Sequence, residues 1–237
     1  MVQLLQAVVF DMDGVIADTE PDGHRVAFNQ TFRELGIDVE WDIDTYGELL
    51  KVSGGKERMR HYFMMHSIPF TDDSILQLHK RKTAVFQELI QSGRIQARPG
   101  IRQFVQSITD AGVKLALATT SNEKAARTLL KTLLGTELYA RFDAILAGDI
   151  VSRKKPDPEI YHLAEERLQI DPALSFVVED TENGLIAARS AGFNVCITTS
   201  AYTKEENFEG AAFVVDSIEA GEMTLEKLDA WLQEKQT

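Results

Sequence analysis

The chain has 237 residues, enough for one large domain or two modest ones, and its 44% hydrophobic and 26% charged content is that of a soluble globular protein. A formal net charge of −12 argues against a nucleic acid or an anionic membrane as partner. No apolar stretch is long enough to span a bilayer, and Cys196, the only cysteine, has no intrachain partner for a disulfide, as suits a reducing compartment.

Ala7-Val8-Val9-Phe10 is short, β-rich and apolar, and reads as a buried strand. It runs directly into Asp11-Met12-Asp13-Gly14. Residues i and i+2 of a strand point the same way, so Asp11 and Asp13 are expected side by side at the end of a sheet. Carboxylates so close repel unless a cation or a shared proton relieves them. The pair therefore reads as a hard-metal site, a proton shuttle, or simply an acidic turn. No basic segment precedes the strand, which argues against a signal peptide.

From about Asp18 to Ala97 the patterns are mainly helical, with Phe28, Phe32 and Leu35, then Met59, Tyr62 and Phe63, then Leu76, Leu78 and Phe86. The reading is a helical insert over 18–97, left through Ala17-Asp18 and closed by Arg98-Pro99-Gly100. Residues 1–17 and 98–237 then form the core domain. Within the insert, Val52-Ser53-Gly54-Gly55-Lys56-Glu57-Arg58-Met59-Arg60 sets paired glycines before three basic residues in an acidic protein. That is a candidate phosphate cradle, or a loop leading into a solvated helix face.

Strands and helices alternate from Ile101 onward. Ile101, Phe104, Val105 and Ile108 have helical spacing up to Ala111-Gly112, and Lys114 to Ala118 reads as a strand. Asn122 caps a helix that buries Ala125, Leu129, Leu130 and Leu133 and ends near Gly135. Phe142 to Ala147 is a strand, and Asp157-Pro158-Glu159 opens a helix. Phe176 to Val178 is a strand, Glu182 to Ala191 a helix closed by Gly192, and Asn194 to Thr198 a strand. Val214 and Val215 suggest a further short strand, and Leu225, Leu228 and Trp231 a final amphipathic helix. This alternation predicts an α/β fold, a Rossmann-like parallel sheet with helices on both faces.

In such a sheet functional groups gather at the carboxyl ends of the strands. Those ends carry Asp11 and Asp13; Thr119 followed by Thr120, Ser121 and Asn122; Lys154-Lys155-Pro156-Asp157; and Glu179-Asp180. Singly, these read as a strand-end hydroxyl, a solvated lysine and a helix cap. In this order and placement they resemble the haloacid dehalogenase (HAD) superfamily of phosphohydrolases, over the whole core.

That resemblance implies a role for each residue. Asp11 would attack phosphorus and carry an aspartyl-phosphate. Asp13 would protonate the departing alkoxide and then take a proton from water. Thr119 would hydrogen-bond a phosphoryl oxygen, and Lys155, beside the proline, would neutralise it and restrain Asp11. Ser121 and Asn122 would touch phosphate or only cap the next helix. The implied cofactor is Mg²⁺, held by Asp11, Asp13 and Asp180, with Glu179 acting through water.

The insert looks like the small α-helical cap of the subgroup that includes phosphoglycolate phosphatase and β-phosphoglucomutase. The segments Asp18 to Arg25, Tyr46 to Lys51, Gly54 to Met59, Thr120 to Lys124 and Lys154 to Pro158 resemble the CbbY-type phosphatases, which hydrolyse xylulose 1,5-bisphosphate and so serve the Calvin cycle. By this resemblance Lys56 grips the distal phosphate, with Gly54, Gly55 and Glu57 near it, and Glu20 meets sugar hydroxyls. His24 either helps orient Asp13 or is a satisfied structural histidine. The expected partner is a small phosphosugar, the expected state a monomer, and the expected compartment a bacterial cytoplasm or, for a processed plastid form, the stroma. A phosphosugar mutase and a phosphoglycolate phosphatase share the core residues. A phospho-accepting signalling module also uses an aspartate on a parallel sheet, but is shorter and lacks a cap.

Overall fold

A computed structural model describes residues 3–52, 54–148 and 150–236. The chain divides into two compact units, Met1–Asp18 with Gln96–Thr237, and Thr19–Ile95. The insert is therefore shorter than the expected 18–97. Asp18 and Arg98 pair at 3.8 Å, and the Arg98 N–H donates to the Ile16 carbonyl at 2.9 Å, so both crossings are stitched into the first unit.

The first unit is built on one parallel sheet in the order β3-β2-β1-β4-β5-β6. Its strands are β1 (Ala7–Phe10), β2 (Lys114–Thr119), β3 (Ala144–Ala147), β4 (Ser175–Glu179), β5 (Asn194–Thr198) and β6 (Phe213–Val215). β1 lies between β2 and β4, with Phe10 in register with Leu117 and Val178. The three central strands thus end level with one another, and their next residues share one edge. Alternation along β1 sends Ala7 and Val9 to one face, where they pack with Ile160, Tyr161 and Ala188. Phe10 lies on the other face and meets Phe104 edge-on at 6.1 Å.

Helices α5 (Ile101–Asp110), α6 (Glu123–Tyr139), α7 (Glu159–Leu168), α8 (Glu182–Ser190) and α9 (Leu225–Lys235) surround this sheet. Asn122 caps α6 by accepting from Ala125 N at 3.2 Å. Gly135, expected as the end of that helix, instead breaks its geometry locally at φ 80°, and helical structure resumes to Tyr139. The expected strand from Phe142 begins only at Ala144, because Asp143 turns its carboxylate back to accept from Leu115 N at 2.8 Å.

The second unit contains α1 (Arg25–Glu34), α2 (Ile43–Leu50), α3 (Gly55–Met65) and α4 (Asp72–Gln91), preceded by a π-helical turn at Glu20–His24. No strand occurs among its described residues. Its core gathers Phe28, Phe32, Trp41, Tyr46 and Phe63. Asn29 is buried beside Trp41 and satisfies both polar groups of that residue's backbone at 2.8 Å. Thr71 and Ser74 close a reciprocal capping box at the start of α4. The helical spacing puts two leucines on the wrong face: Leu35 and Leu76 are exposed, and Ile75 points inward instead. Leu35 lies just beyond the last residue of α1, where helical periodicity no longer sets direction. No helix among the described residues is long and apolar enough to cross a membrane.

Candidate active site

The carboxyl edge of the sheet brings Asp11, Glu179 and Asp180 together, with one oxygen of each within 4.8 Å of the others. All three are buried. Asp11 follows the last residue of β1, and its N–H donates to the Val178 carbonyl at 2.9 Å, which locks it beside the end of β4. Lys155 enters from the loop before α7. Its ammonium donates to Asp11 Oδ1 at 2.5 Å, Glu179 Oε1 at 2.5 Å and the Ala118 carbonyl at 3.0 Å, which uses all of its hydrogens. The restraint of Asp11 expected of this lysine is therefore its main contact, and its positive field its further contribution.

Glu179 is held more completely than a solvated ligand would be. Its Oε1 also accepts from the Tyr161 hydroxyl at 2.6 Å, and its Oε2 accepts from Asp180 N at 3.1 Å. Tyr161, on α7, carries no sequence signal that singles it out. Its phenol pKa is pushed well up by burial and by the nearby Glu179, so it stays a donor. Glu179 does not cap α8; Thr181 does, accepting from Gly184 N at 3.0 Å.

Asp13 departs from the expected pairing. The strand ends at Phe10, so a period of two no longer governs the residues beyond it. The Asp13 carboxylate lies outside the close group of three and accepts from Ser121 Oγ. It still repels Asp11. Ser121 is thus drawn into the site through Asp13. Thr119 is buried and its oxygen accepts from Ser121 N at 3.1 Å, so strand end and loop are tied in sequence. Thr120 and Asn122 line a recess with Gly148 and Lys154.

One ammonium against three buried carboxylates leaves negative charge in excess. Burial pushes the Asp11 carboxyl from the ordinary 3.8 up to about 7, against the pull of Lys155, and Glu179 and Asp13 add repulsion. Asp180 is likewise raised, chiefly by burial and then by Glu179 and Asp11. Hard oxygen donors with unrelieved charge suit a divalent cation such as Mg²⁺. The backbone makes room for this: a Cβ on Gly14 would fall 1.9 Å from Asp180 Oδ2, and one on Gly184 would fall 2.0 Å from Glu179 Cδ. The residues present therefore fit the metal.

A model of the haloacid dehalogenase-like hydrolases matches residues 5–192. The chain belongs to that family. Within it, this HAD hydrolase is 47% identical over 223 residues to a CBBY-like protein of Arabidopsis thaliana, covering 91% of this chain and 70% of the relative. It is 39% identical over 214 residues to protein CbbY of Cereibacter sphaeroides, covering 90% and 93%. A crystal structure of a CbbY mutant from Rhodobacter sphaeroides in complex with xylulose-(1,5)bisphosphate superposes with a TM-score of 0.77 at 39% identity, covering 91% of this chain and 95% of that one. The α/β core with its parallel sheet is the HAD fold, and the chain is a CbbY-like HAD phosphatase acting on a small phosphorylated substrate.

The other expected site residues lie in the second unit. Gly54, at φ 93°, precedes α3, so Gly55, Lys56 and Glu57 form that helix's first turn. Ser53 lies outside the described residues. The three basic residues of this run do not act alike. Arg58 is buried and donates to the Leu49 carbonyl at 3.0 Å and the Tyr46 hydroxyl at 2.7 Å, and Arg60 pairs with Asp72 at 2.9 Å and Glu57 at 3.2 Å. The Lys56 ammonium makes no hydrogen bond or ion pair with another described residue. Glu20 accepts from the Tyr46 hydroxyl at 2.6 Å, a partner the sequence did not disclose.

His24 Nδ1 lies 2.9 Å from the Lys82 ammonium. An ammonium has no acceptor, so the imidazole accepts and is neutral. Burial, then Lys82, Arg58 and His79, hold its pKa well below the ordinary 6.5. These contacts give His24 a structural partner inside its own unit.

Proposed function

We propose that this phosphatase is Mg²⁺-dependent and removes one phosphate from a sugar bisphosphate, xylulose 1,5-bisphosphate being the first candidate. The observation that carries the chemistry is Asp11 fixed by Lys155 beside Glu179 and Asp180. Support for the substrate comes from the related CbbY mutant crystallised with xylulose-(1,5)bisphosphate.

An oxygen of Asp11 attacks phosphorus, a P–O bond forms to the carboxylate, and the ester P–O bond breaks. The departing alkoxide takes its proton from Asp13, which Ser121 holds in place. Water then attacks the aspartyl-phosphate, gives its proton to Asp13, and frees inorganic phosphate and Asp11. Thr119, whose oxygen already accepts from Ser121, donates its own hydrogen to a phosphoryl oxygen. Asp11 and Asp180, with the Asp13 backbone carbonyl and with Glu179 through water, would hold Mg²⁺, which would supply positive charge around the transferring group.

The distal phosphate is assigned to the first turn of α3. There the N–H groups of Gly55, Lys56 and Glu57 lack helical acceptors, and Lys56 adds an ammonium not committed to another described residue. Glu20, oriented by Tyr46, is assigned to sugar hydroxyls.

The test is phosphate release with Mg²⁺ across xylulose 1,5-bisphosphate, ribulose 1,5-bisphosphate, phosphoglycolate and β-glucose 1-phosphate. Preference for xylulose 1,5-bisphosphate is expected. Faster release from phosphoglycolate, or isomerisation of β-glucose 1-phosphate without release, would replace this reading by a phosphoglycolate phosphatase or a mutase.

A further inference from the structure

One guanidinium joins the two chain segments that enclose Asp180. Arg98 follows the return from the second unit, and its side chain is 8% exposed. Its Nη1 donates to the Gly14 carbonyl and, at 3.2 Å, to the Thr198 carbonyl. Its Nη2 donates to the carbonyls of Thr199 at 2.6 Å and Asp216 at 2.7 Å. The segments so tied are the turn after Asp13, the exit of β5 and the exit of β6.

Both neighbours of Asp180 hang on this clamp. Gly14 presses on the Asp180 carboxylate from one side, so closely that any side chain at position 14 would collide with it. Ser200, the residue after Thr199, faces the same carboxylate, and its hydroxyl lowers the Asp180 pKa against the effect of burial. Ser200 is itself buried and fixed by Thr203, which accepts from its N–H at 2.8 Å. A shift of either segment would move Asp180 relative to Asp11 and Glu179.

We propose that Arg98 is a positioning residue for the divalent-cation site: by holding Gly14 and Thr199 to a single guanidinium, it fixes Asp180 where it meets Asp11 and Glu179. The inference rests on the metal-dependent reading above. Lysine cannot replace the whole clamp, since four carbonyls are held here by two separate nitrogens and an ammonium has three donors on one.

The test is Mn²⁺ titration of the intact, substrate-free protein followed by electron paramagnetic resonance, with kcat and KM for phosphate release measured alongside. Arg98→Lys is compared with wild type and with Arg102→Lys, a control whose guanidinium donates to the Leu134 carbonyl at 2.7 Å, away from the site. With native circular dichroism, Arg98→Lys should raise the Mn²⁺ Kd at least about 10-fold, the range seen when an outer-shell partner of a metal ligand is lost. It should lower kcat more than it changes KM, and Arg102→Lys should stay near wild type in all three. A Kd for Arg98→Lys within about twofold of wild type, whatever its melting temperature, would make Arg98 mere structural glue and overturn the proposal. Should Arg98→Lys not fold, Ser200→Ala decides: a weakened Mn²⁺ Kd supports the clamp, and an unchanged one overturns it. If wild type itself takes up no Mn²⁺, the metal reading fails first and the inference with it.

Discussion

The ammonium of Lys155 lies 2.5 Å from Asp11 and 2.5 Å from Glu179, so one cation fixes both the proposed nucleophile and the buried end of β4. Neither carboxylate has water to fall back on, because the side chains of Asp11 and Glu179 are 12% and 1% exposed. Lys155→Met should therefore do more than slow the chemistry. Removing one partner of a buried, hydrogen-bonded ion pair leaves the other uncompensated, which costs about 3 kcal/mol. Urea denaturation should show that loss, and phosphate release should vanish at temperatures where the variant is still folded.

Gly184→Ala tests how tightly Glu179 is held. In a helix interior alanine is ordinarily better than glycine by about 1 kcal/mol. Here the new Cβ would fall 2.0 Å from Glu179 Cδ, and that side chain is pinned by Lys155, Tyr161 and the Asp180 N–H. The clash should win, giving a net destabilisation of about 1–3 kcal/mol and a lower kcat. A more stable variant with full activity would show that Glu179 can move aside.

Strand-borne features were the legible part of this protein. β5 has the span expected of it, and the strand-end residues Asp11, Thr119 and Glu179 lie at the ends of β1, β2 and β4, because a short apolar run fixes both its own burial and where the chain emerges. What the sequence hid depends on contacts between distant segments. Tyr161 and Ser200 act on Glu179 and Asp180 from helix and loop, and Arg58 turns inward to Tyr46 and Leu49 rather than out towards a ligand. The turn at Asp13 escaped because strand periodicity stops at Phe10, and α2 escaped because it is only eight residues long and carries Gly47 inside it.

Stability should fall on mild acidification, through His24. Its folded pKa lies well below the ordinary 6.5, so below that pH the unfolded chain binds a proton that the folded chain refuses. Stability is therefore present above about pH 6.5 and lost as the pH drops towards 5. His24→Gln should flatten the pH dependence of the urea midpoint between pH 7.5 and 5.5. An unchanged slope would mean that His24 titrates normally in the folded protein.

Lys56→Ala should separate the two phosphates of the substrate. It removes a charge-assisted contact at the start of α3, worth roughly 2 kcal/mol, and leaves the Asp11 site untouched. KM for xylulose 1,5-bisphosphate should rise about 30-fold, whereas release from phosphoglycolate should change little. Equal effects on both would remove the second phosphate site from the first turn of α3.

The most direct measurement is Mg²⁺-supported release of inorganic phosphate from xylulose 1,5-bisphosphate by wild type and by Asp11→Asn, with circular dichroism to verify that both are folded. Wild type should turn over, and the folded variant should lose at least about 1,000-fold in kcat, since amide nitrogen and oxygen cannot replace the attacking carboxylate. Turnover by Asp11→Asn at the wild-type rate would contradict covalent catalysis by Asp11.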